Sequence, residues 1–194
     1  LVADIIFEEI QKNTCPAITI ALLSIKEECS VLVLPADHKF EDDNILENSI
    51  DDALKFIKDN ILIFGVKPTE PSSEYGYIKV KNSDDGLIVD SFIEKPKIDD
   101  AKKYLCSDDF FWNSGMIFSN KTFLLHQIRE HCPDVFNHCN LIQDNLTETN
   151  NSKVVKITDM KKCPSISIDY AVLEKTQQLK FFEIKSKWSD MGSW

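Results

Sequence analysis

Two aspartates in apolar surroundings mark where this sequence could hold a metal ion. Asp37 follows the run Val31-Leu32-Val33-Leu34-Pro35-Ala36. A carboxylate at the carboxyl end of a buried strand stands where open α/β sheets bind ligands, and it suits a hard cation such as Mg²⁺. Asp190 lies in Trp188-Ser189-Asp190-Met191-Gly192-Ser193-Trp194, an aromatic, glycine-containing loop that also follows a strand. Two carboxylates from separate strand ends can share one Mg²⁺ and leave positions for phosphate oxygens and water. Each has a plainer reading: Asp37 as the cap of a turn, and the terminal loop as a place where tryptophans bury against a sheet.

Ligand chemistry of a second kind is available in Phe92-Ile93-Glu94-Lys95-Pro96-Lys97. On a regular strand Glu94 and Lys95 point to opposite faces, so they meet one ligand only if the chain bends, and Pro96 supplies a reason to bend. The carboxylate could then accept from sugar hydroxyls while the ammonium meets a phosphate. The alternative is a solvated charged edge. Gly76, between Tyr75 and Tyr77, would let a ligand approach the backbone closely. Asn113, in Trp112-Asn113-Ser114-Gly115, offers both a donor and an acceptor. Against these stand a simple turn glycine and aromatic core residues.

The elements that must position these residues read as α/β. Short runs rich in Val, Ile and Phe alternate with helical periods, the pattern of crossover connections onto a largely parallel sheet. Asn13-Thr14 followed by Pro16 predicts a helix start, continued by Ala17 to Leu23. Val31 to Leu34 and Ile61 to Val66 predict buried strands, with Ile50, Leu54 and Ile57 at helical spacing between them. Tyr77 to Lys81 and Leu87 to Ile93, joined by Asn82-Ser83-Asp84-Asp85-Gly86, predict a small accessory hairpin laid beside the main sheet. Further on, Phe110 to Phe118 predicts a strand, Phe123 to His131 a helix, Asp144 to Lys153 an exposed loop, Asp169 to Leu173 the start of a helix, and Phe181 to Ile184 a last strand.

With 194 residues, 43% of them hydrophobic, the chain is long enough for one good core and reads as one domain or most of one. Its formal net charge of -10 disfavours a nucleic-acid partner, so a phosphate ligand needs a local site. The apolar runs are too short to cross a bilayer and no cationic-then-apolar leader opens the chain, which predicts no membrane partner and a cytoplasmic location. A homo-oligomer is compatible with the sequence. The cysteines at 15, 29, 106, 132, 139 and 163 are scattered, as reduced thiols are, and do not frame a small loop-rich fold. His131-Cys132 with His138-Cys139 could approach a soft metal, but Pro133 interrupts the set and core packing explains these thiols better.

Seven segments taken in order resemble the bacterial mannose-1-phosphate guanylyltransferases. They are Lys12-Asn13-Thr14-Cys15-Pro16-Ala17, Leu34-Pro35-Ala36-Asp37-His38, Tyr75-Gly76-Tyr77-Ile78, Phe92-Ile93-Glu94-Lys95-Pro96, Trp112-Asn113-Ser114-Gly115-Met116, Ser167-Ile168-Asp169-Tyr170-Ala171 and the segment from Trp188 to Trp194. The resemblance implies a Rossmann-like nucleotidyltransferase fold, with a mixed, mostly parallel central sheet flanked by helices. It implies GTP and mannose-1-phosphate as partners and Mg²⁺ as cofactor. It further implies that Asp37 and Asp190 hold the metal, and that Lys95 neutralises the sugar phosphate. Gly76, Glu94, Asn113 and Asp169 would position the sugar, while Asn13, Thr14 and Pro16 line the base pocket. For Asp169, capping a helix is an equal account. Cys15 stands where the family more often has Ala.

The family opens with a glycine-rich loop carrying Arg that binds the triphosphate, in keeping with anion binding by backbone amides. The glycines here, at 65, 76, 86, 115 and 192, are too far apart for such a loop. The expectation is therefore a nucleotidyltransferase domain truncated at both ends, which by itself binds GTP poorly. Two rivals stay open: a uridylyl or thymidylyl transferase acting on another sugar-1-phosphate, and a non-catalytic subunit that binds GDP-mannose.

Overall fold

The computed structural model describes residues 5–41, 50–51, 53–83, 86–143, 147–149, 152–155, 157–186 and 188–191. The chain divides into two compact units, Leu1–Cys29 with Leu124–Thr176, and Ser30–Phe123 with Gln177–Trp194.

The second unit is built on a six-stranded sheet. Its centre is β4 (Ile61–Val66), in which every residue is buried; Ile61, Leu62, Ile63 and Phe64 are fully enclosed. A continuous β-branched and aromatic run of this kind is stable only when covered on both faces. To one side lies β10 (Leu179–Glu183), parallel to β4, and to the other β7 (Phe110–Asn120), antiparallel to it. The sheet runs β2 (Ser30–Val33), β7, β4, β10, β6 (Gly86–Ile93), β5 (Tyr77–Ser83), and β5 also pairs with β7.

This order corrects two expectations. Among the described residues β4 with β10 is the only parallel pair in the six-stranded sheet, so the sheet is mixed but not mostly parallel. The cause is β7, whose eleven residues run antiparallel to β2, β4 and β5 at once. The hairpin of β5 and β6 is not laid beside the sheet but forms part of it, through β6 with β10 and β5 with β7. Its turn residues Asp84 and Asp85 lie outside the described residues. Between β6 and β7 runs α2 (Ile98–Leu105), with Asp99 and Asp100 in its first turn and Lys102 and Lys103 in its last, a charge order that suits the helix dipole. A two-stranded sheet of β3 (His38–Phe40) and β11 (Trp188–Asp190) completes the unit.

In the first unit α1 (Thr14–Ser24) is capped as its sequence predicts: the Asn13 side chain accepts from the Thr14 amide at 2.8 Å, and Pro16 sits in the first turn. Its buried residues Cys15, Pro16, Thr19, Ile20 and Leu22 pack on α4 (Pro133–Gln143), which follows α3 (Lys121–His131). The stretch expected as an exposed loop, Asp144 to Lys153, instead contains β8 (Thr147–Thr149) and the start of β9 (Ser152–Val155), and β9 pairs in parallel with β1 (Ile5–Glu8). Backbone pairing overrides a polar composition there. A short α5 (Ile157–Met160) and a π-helical turn over Asp169–Leu173 close the unit.

Cys15, Cys139 and Cys163 are buried and unbridged, so they act as small core residues. Cys139 sits with its Sγ 3.8 Å from the Pro16 carbonyl, and burial pushes the Cys15 thiol up to about 12. No group of three or more His, Cys, Asp and Glu side chains among the described residues is arranged to hold a metal, the His131-Cys132 and His138-Cys139 set included. No described helix is long and apolar enough to cross a membrane.

Candidate functional site

The segment from Trp188, expected as a loop, begins with a strand. β11 runs antiparallel to β3 with Trp188 opposite Phe40, Ser189 opposite Lys39 and Asp190 opposite His38. The Met191 amide extends the ladder by donating to the Asp37 carbonyl at 2.8 Å. Two aspartates far apart in the sequence thus become backbone neighbours. The Asp37 side chain is half exposed, with Oδ1 3.8 Å from His38 Nε2. The side chain of Asp190 lies outside the described residues.

Gly76, Glu94 and Asn113 meet beside one another. The Asn113 amide donates to the Gly76 carbonyl at 2.8 Å. A Cβ added to Gly76 would stand 2.6 Å from Glu94 Oε2 and 3.5 Å from the Asn113 Cβ. The glycine is therefore what lets the Glu94 carboxylate lie over the backbone at this point. Asn113 is turned by an irregularity in β7: Ile63 pairs with Ile117 but Gly65 pairs with Asn113, so extra residues of β7 bulge out between them. The buried Ser114 hydroxyl settles the bulge by donating to the Phe64 carbonyl at 2.7 Å, and the Gly115 amide donates to Asn113 Oδ1 at 3.1 Å. Gly115 has φ 70°, and a Cβ there would lie 3.3 Å from Pro35 Cγ and 3.8 Å from His38 Cε1. The bulge therefore reaches the segment that carries Asp37.

β6 ends at Ile93, and the bend expected before Pro96 is present: Lys95 has φ 45° and an exposed side chain, while Pro96 is buried. A positive φ is uncommon in a non-glycine residue and costs conformational energy. Among the described residues the non-glycine positions with positive φ are Lys95 and Asn13, and both belong to the candidate set.

Asn13, Thr14, Pro16 and Asp169 belong to the other unit. Asn13 has φ 71° and ψ -176°, a combination that glycine favours. The Thr14 hydroxyl accepts from the Ile168 amide at 2.9 Å, the Cys15 amide donates to the Ile166 carbonyl at 3.2 Å, and the Ile166 amide donates to the Lys12 carbonyl at 3.3 Å. These bonds join the segment around Asn13 to the one that leads into Asp169. Asn13 and Thr14 are exposed, whereas Pro16 is buried against α4. At the start of the π-helical turn over Asp169–Leu173 the Ser167 Oγ accepts from the Tyr170 amide at 3.3 Å. Burial first, and then the Asp169 carboxylate beside it, raise the Glu174 carboxyl above its ordinary value.

Aromatic residues assigned no site role from the sequence also gather in the second unit, together with His38. The Trp188 ring meets His38 at 5.0 Å, Tyr75 at 5.1 Å and Trp112 at 6.2 Å, and Tyr75 meets Trp112 at 4.9 Å. The signal available in the sequence was position, since each ring stands one or two residues from Asp37, Gly76, Asn113 or Asp190.

The half-exposed Asp37 carboxylate beside the β3 and β11 pairing offers oxygen donors of the kind that Mg²⁺ prefers. Mg²⁺ commonly takes only one or two of them from the protein and fills its shell with water and phosphate oxygens.

Residues 2–194 match the family described as Nucleotidyl transferase. The mannose-1-phosphate guanylyltransferase of Salmonella montevideo is 35% identical over 201 residues, covering 98% of this chain and 42% of that protein. This chain thus spans about two fifths of the length of the curated relatives it matches. In structure it is similar to the mannose-6-phosphate isomerase of Helicobacter pylori, with a TM-score of 0.87 at 30% identity over 95% of this chain and 73% of that one. It is also similar to the mannose-1-phosphate geranyltransferase of Thermus thermophilus, with a TM-score of 0.81 at 25% identity over 97% of this chain and 55% of that one.

Proposed function

Because the chain belongs to the nucleotidyl transferase family, we propose that it serves the transfer of a guanylyl group from GTP to mannose-1-phosphate, giving GDP-mannose and pyrophosphate. The observation that carries this reading is the meeting of Gly76, Glu94 and Asn113 next to the β3 and β11 pair, which Asp37 leads into and Asp190 ends. A sugar-hydroxyl pocket and a carboxylate pair side by side are what a sugar-1-phosphate nucleotidyltransferase needs. The similarity to mannose-1-phosphate guanylyltransferases supports GTP and mannose over other bases and sugars.

In this reading the Glu94 carboxylate accepts from sugar hydroxyls, and Asn113 offers its amide to a neighbouring hydroxyl. Gly76 keeps the floor of the pocket low enough for the ring to approach. Lys95, at the bend, turns its ammonium to the sugar phosphate and offsets its charge. Asp169 contributes to sugar positioning, and Asn13, Thr14 and Pro16 line the base pocket. Asp37 and Asp190 hold Mg²⁺, which when bound supplies positive charge to the phosphate oxygens.

The sugar phosphate oxygen attacks the α-phosphorus in line. The bond from that phosphorus to the bridging oxygen breaks as the new bond forms, and pyrophosphate leaves. No covalent nucleophile on the protein is required. The residues contribute by position and charge, which account for most of the catalysis in phosphoryl-type transfers.

The test is pyrophosphate release with mannose-1-phosphate, Mg²⁺ and each of GTP, ATP, UTP and dTTP. It is run on this chain and on a version extended upstream with a glycine-rich, arginine-bearing segment. GTP-selective release by the extended protein supports the proposal. Selectivity for UTP or dTTP points to a sister transferase, and no release with any nucleotide from the folded protein points to a binding module.

A further inference from the structure

Trp188 and the three rings around it come from four separated segments, and each segment carries a candidate ligand. His38 adjoins Asp37, Tyr75 adjoins Gly76, Trp112 adjoins Asn113, and Trp188 stands two residues before Asp190. Trp188 touches the other three rings, its contacts with His38 and Tyr75 being edge-to-face. Such geometry aligns the positive edge of one ring with the negative face of the next, so the rings hold a preferred angle as well as a distance.

β11 needs that support. Among the described residues it is three residues long and pairs only with β3. An isolated two-stranded ladder is marginal in water. The Trp188 ring packs against the core that contains Leu62, Phe64, Tyr77 and Trp112. Its Nε1 is buried and has no hydrogen-bond partner among the described residues, so the ring acts through its faces and edges.

We propose that Trp188 is a positioning residue that fixes the carboxylate strand pair against the sugar pocket, and so couples cation binding to sugar-phosphate binding. This rests on the function proposed above. Trp188 itself touches neither ligand. A phosphate held by the sugar pocket meets the cation only if Asp190 stays at a set distance from Gly76 and Asn113. The ring is the described contact that spans from β11 to Tyr75 and Trp112.

The experiment measures mannose-1-phosphate affinity by calorimetry on the full chain, with and without saturating Mn²⁺. Free Mn²⁺ is followed separately by electron paramagnetic resonance. In the wild type Mn²⁺ should tighten sugar-phosphate binding about tenfold, within the usual range of coupling between sites. In Trp188→Leu that factor should fall below about twofold, while each ligand alone binds within about threefold of wild type. Trp188→Phe keeps a ring and should restore the coupling. Undiminished coupling in a folded Trp188→Leu protein overturns the inference alone. Equal loss of thermal stability and of both separate affinities in Trp188→Leu and Trp188→Phe also overturns it, since the ring would then be only packing. A wild-type chain that binds no mannose-1-phosphate overturns the function proposed above and this inference with it.

Discussion

The two units present their candidate residues in different ways. Around β3, β7 and β11 the residues project from paired strands: the Gly76 carbonyl and Asn113 amide are bonded, the bulge of β7 is tied down through Ser114, and four rings pack behind them. Around Asn13 they sit on a segment held by a few hydrogen bonds to Ile166 and Ile168, with the backbone of Asn13 at φ 71°. One region sets its candidate residues by rigid pairing and the other by a strained local conformation. The first should therefore respond to substitution chiefly in activity, and the second in stability as well.

The largest effect should follow Asp37→Asn or Asp190→Asn. Under the proposed function each of these carboxylates holds the cation, and removing one forfeits several kcal/mol of charge stabilisation, so pyrophosphate release by the extended protein at saturating Mg²⁺ should fall by about 10²-fold or more, with the thermal midpoint little changed. Unchanged turnover would break the contrast at its strongest point. Next comes Gly76→Ala, whose Cβ would stand 2.6 Å from Glu94 Oε2. Displacing that carboxylate by about 1 Å should lower kcat/KM for mannose-1-phosphate by about 10²-fold. Gly86→Ala, whose Cβ would meet nothing within 4 Å among the described residues, strains its own backbone at φ 105° and should cost stability while leaving kcat/KM alone.

In the other region Asn13→Ala should cost about 1–2 kcal/mol in denaturant unfolding, since it removes the cap on the Thr14 amide and keeps the strained backbone. Asn13→Gly should cost less, because glycine accepts that backbone freely. Equal losses would show that strain is not what distinguishes this segment.

The smallest effect concerns Glu8, whose Oε1 is buried without a hydrogen-bond partner among the described residues. Burial raises its carboxyl above the ordinary value of 4.5. A raised carboxyl favours the folded state while protonated, so its contribution is present below the unfolded value and is lost as pH rises through the folded one. Glu8→Gln should therefore raise the thermal midpoint more at about pH 7 than at about pH 4. A gain that does not depend on pH would remove burial of charge as the cause.

Much of the scaffold was legible in the residues themselves. β4 announced itself as an apolar run, α1 by Asn13 and Pro16, and the hairpin by its turn composition. What escaped were elements whose existence depends on a distant partner. β3 and β11 are three residues each, too short for any periodicity, and form because Trp188 finds Phe40 across the ladder. β9 escaped in the same way, hidden in a polar stretch until paired with β1. Strand direction also escaped, since helix and strand alternation says nothing of β7 running against three neighbours. In the candidate site, residue types and bends were readable at Glu94 and Lys95, and the hairpin that sets Tyr77 opposite Ile93 also brings Gly76 beside Glu94, but the bond of Asn113 to Gly76 was not readable, because it joins strands from different parts of the chain. Trp112 and Trp188 read as core, and they are core; their place between the candidate ligands needed coordinates.

The most direct test of a composite site is the ³¹P line width of mannose-1-phosphate bound to the chain as Mn²⁺ is added. The account predicts strong paramagnetic broadening in the wild type, and its loss in Asp37→Asn while the sugar phosphate remains bound. A sharp ³¹P line from a wild-type chain that binds both the sugar phosphate and Mn²⁺ would contradict it, because the carboxylate pair and the sugar pocket would then serve separate sites.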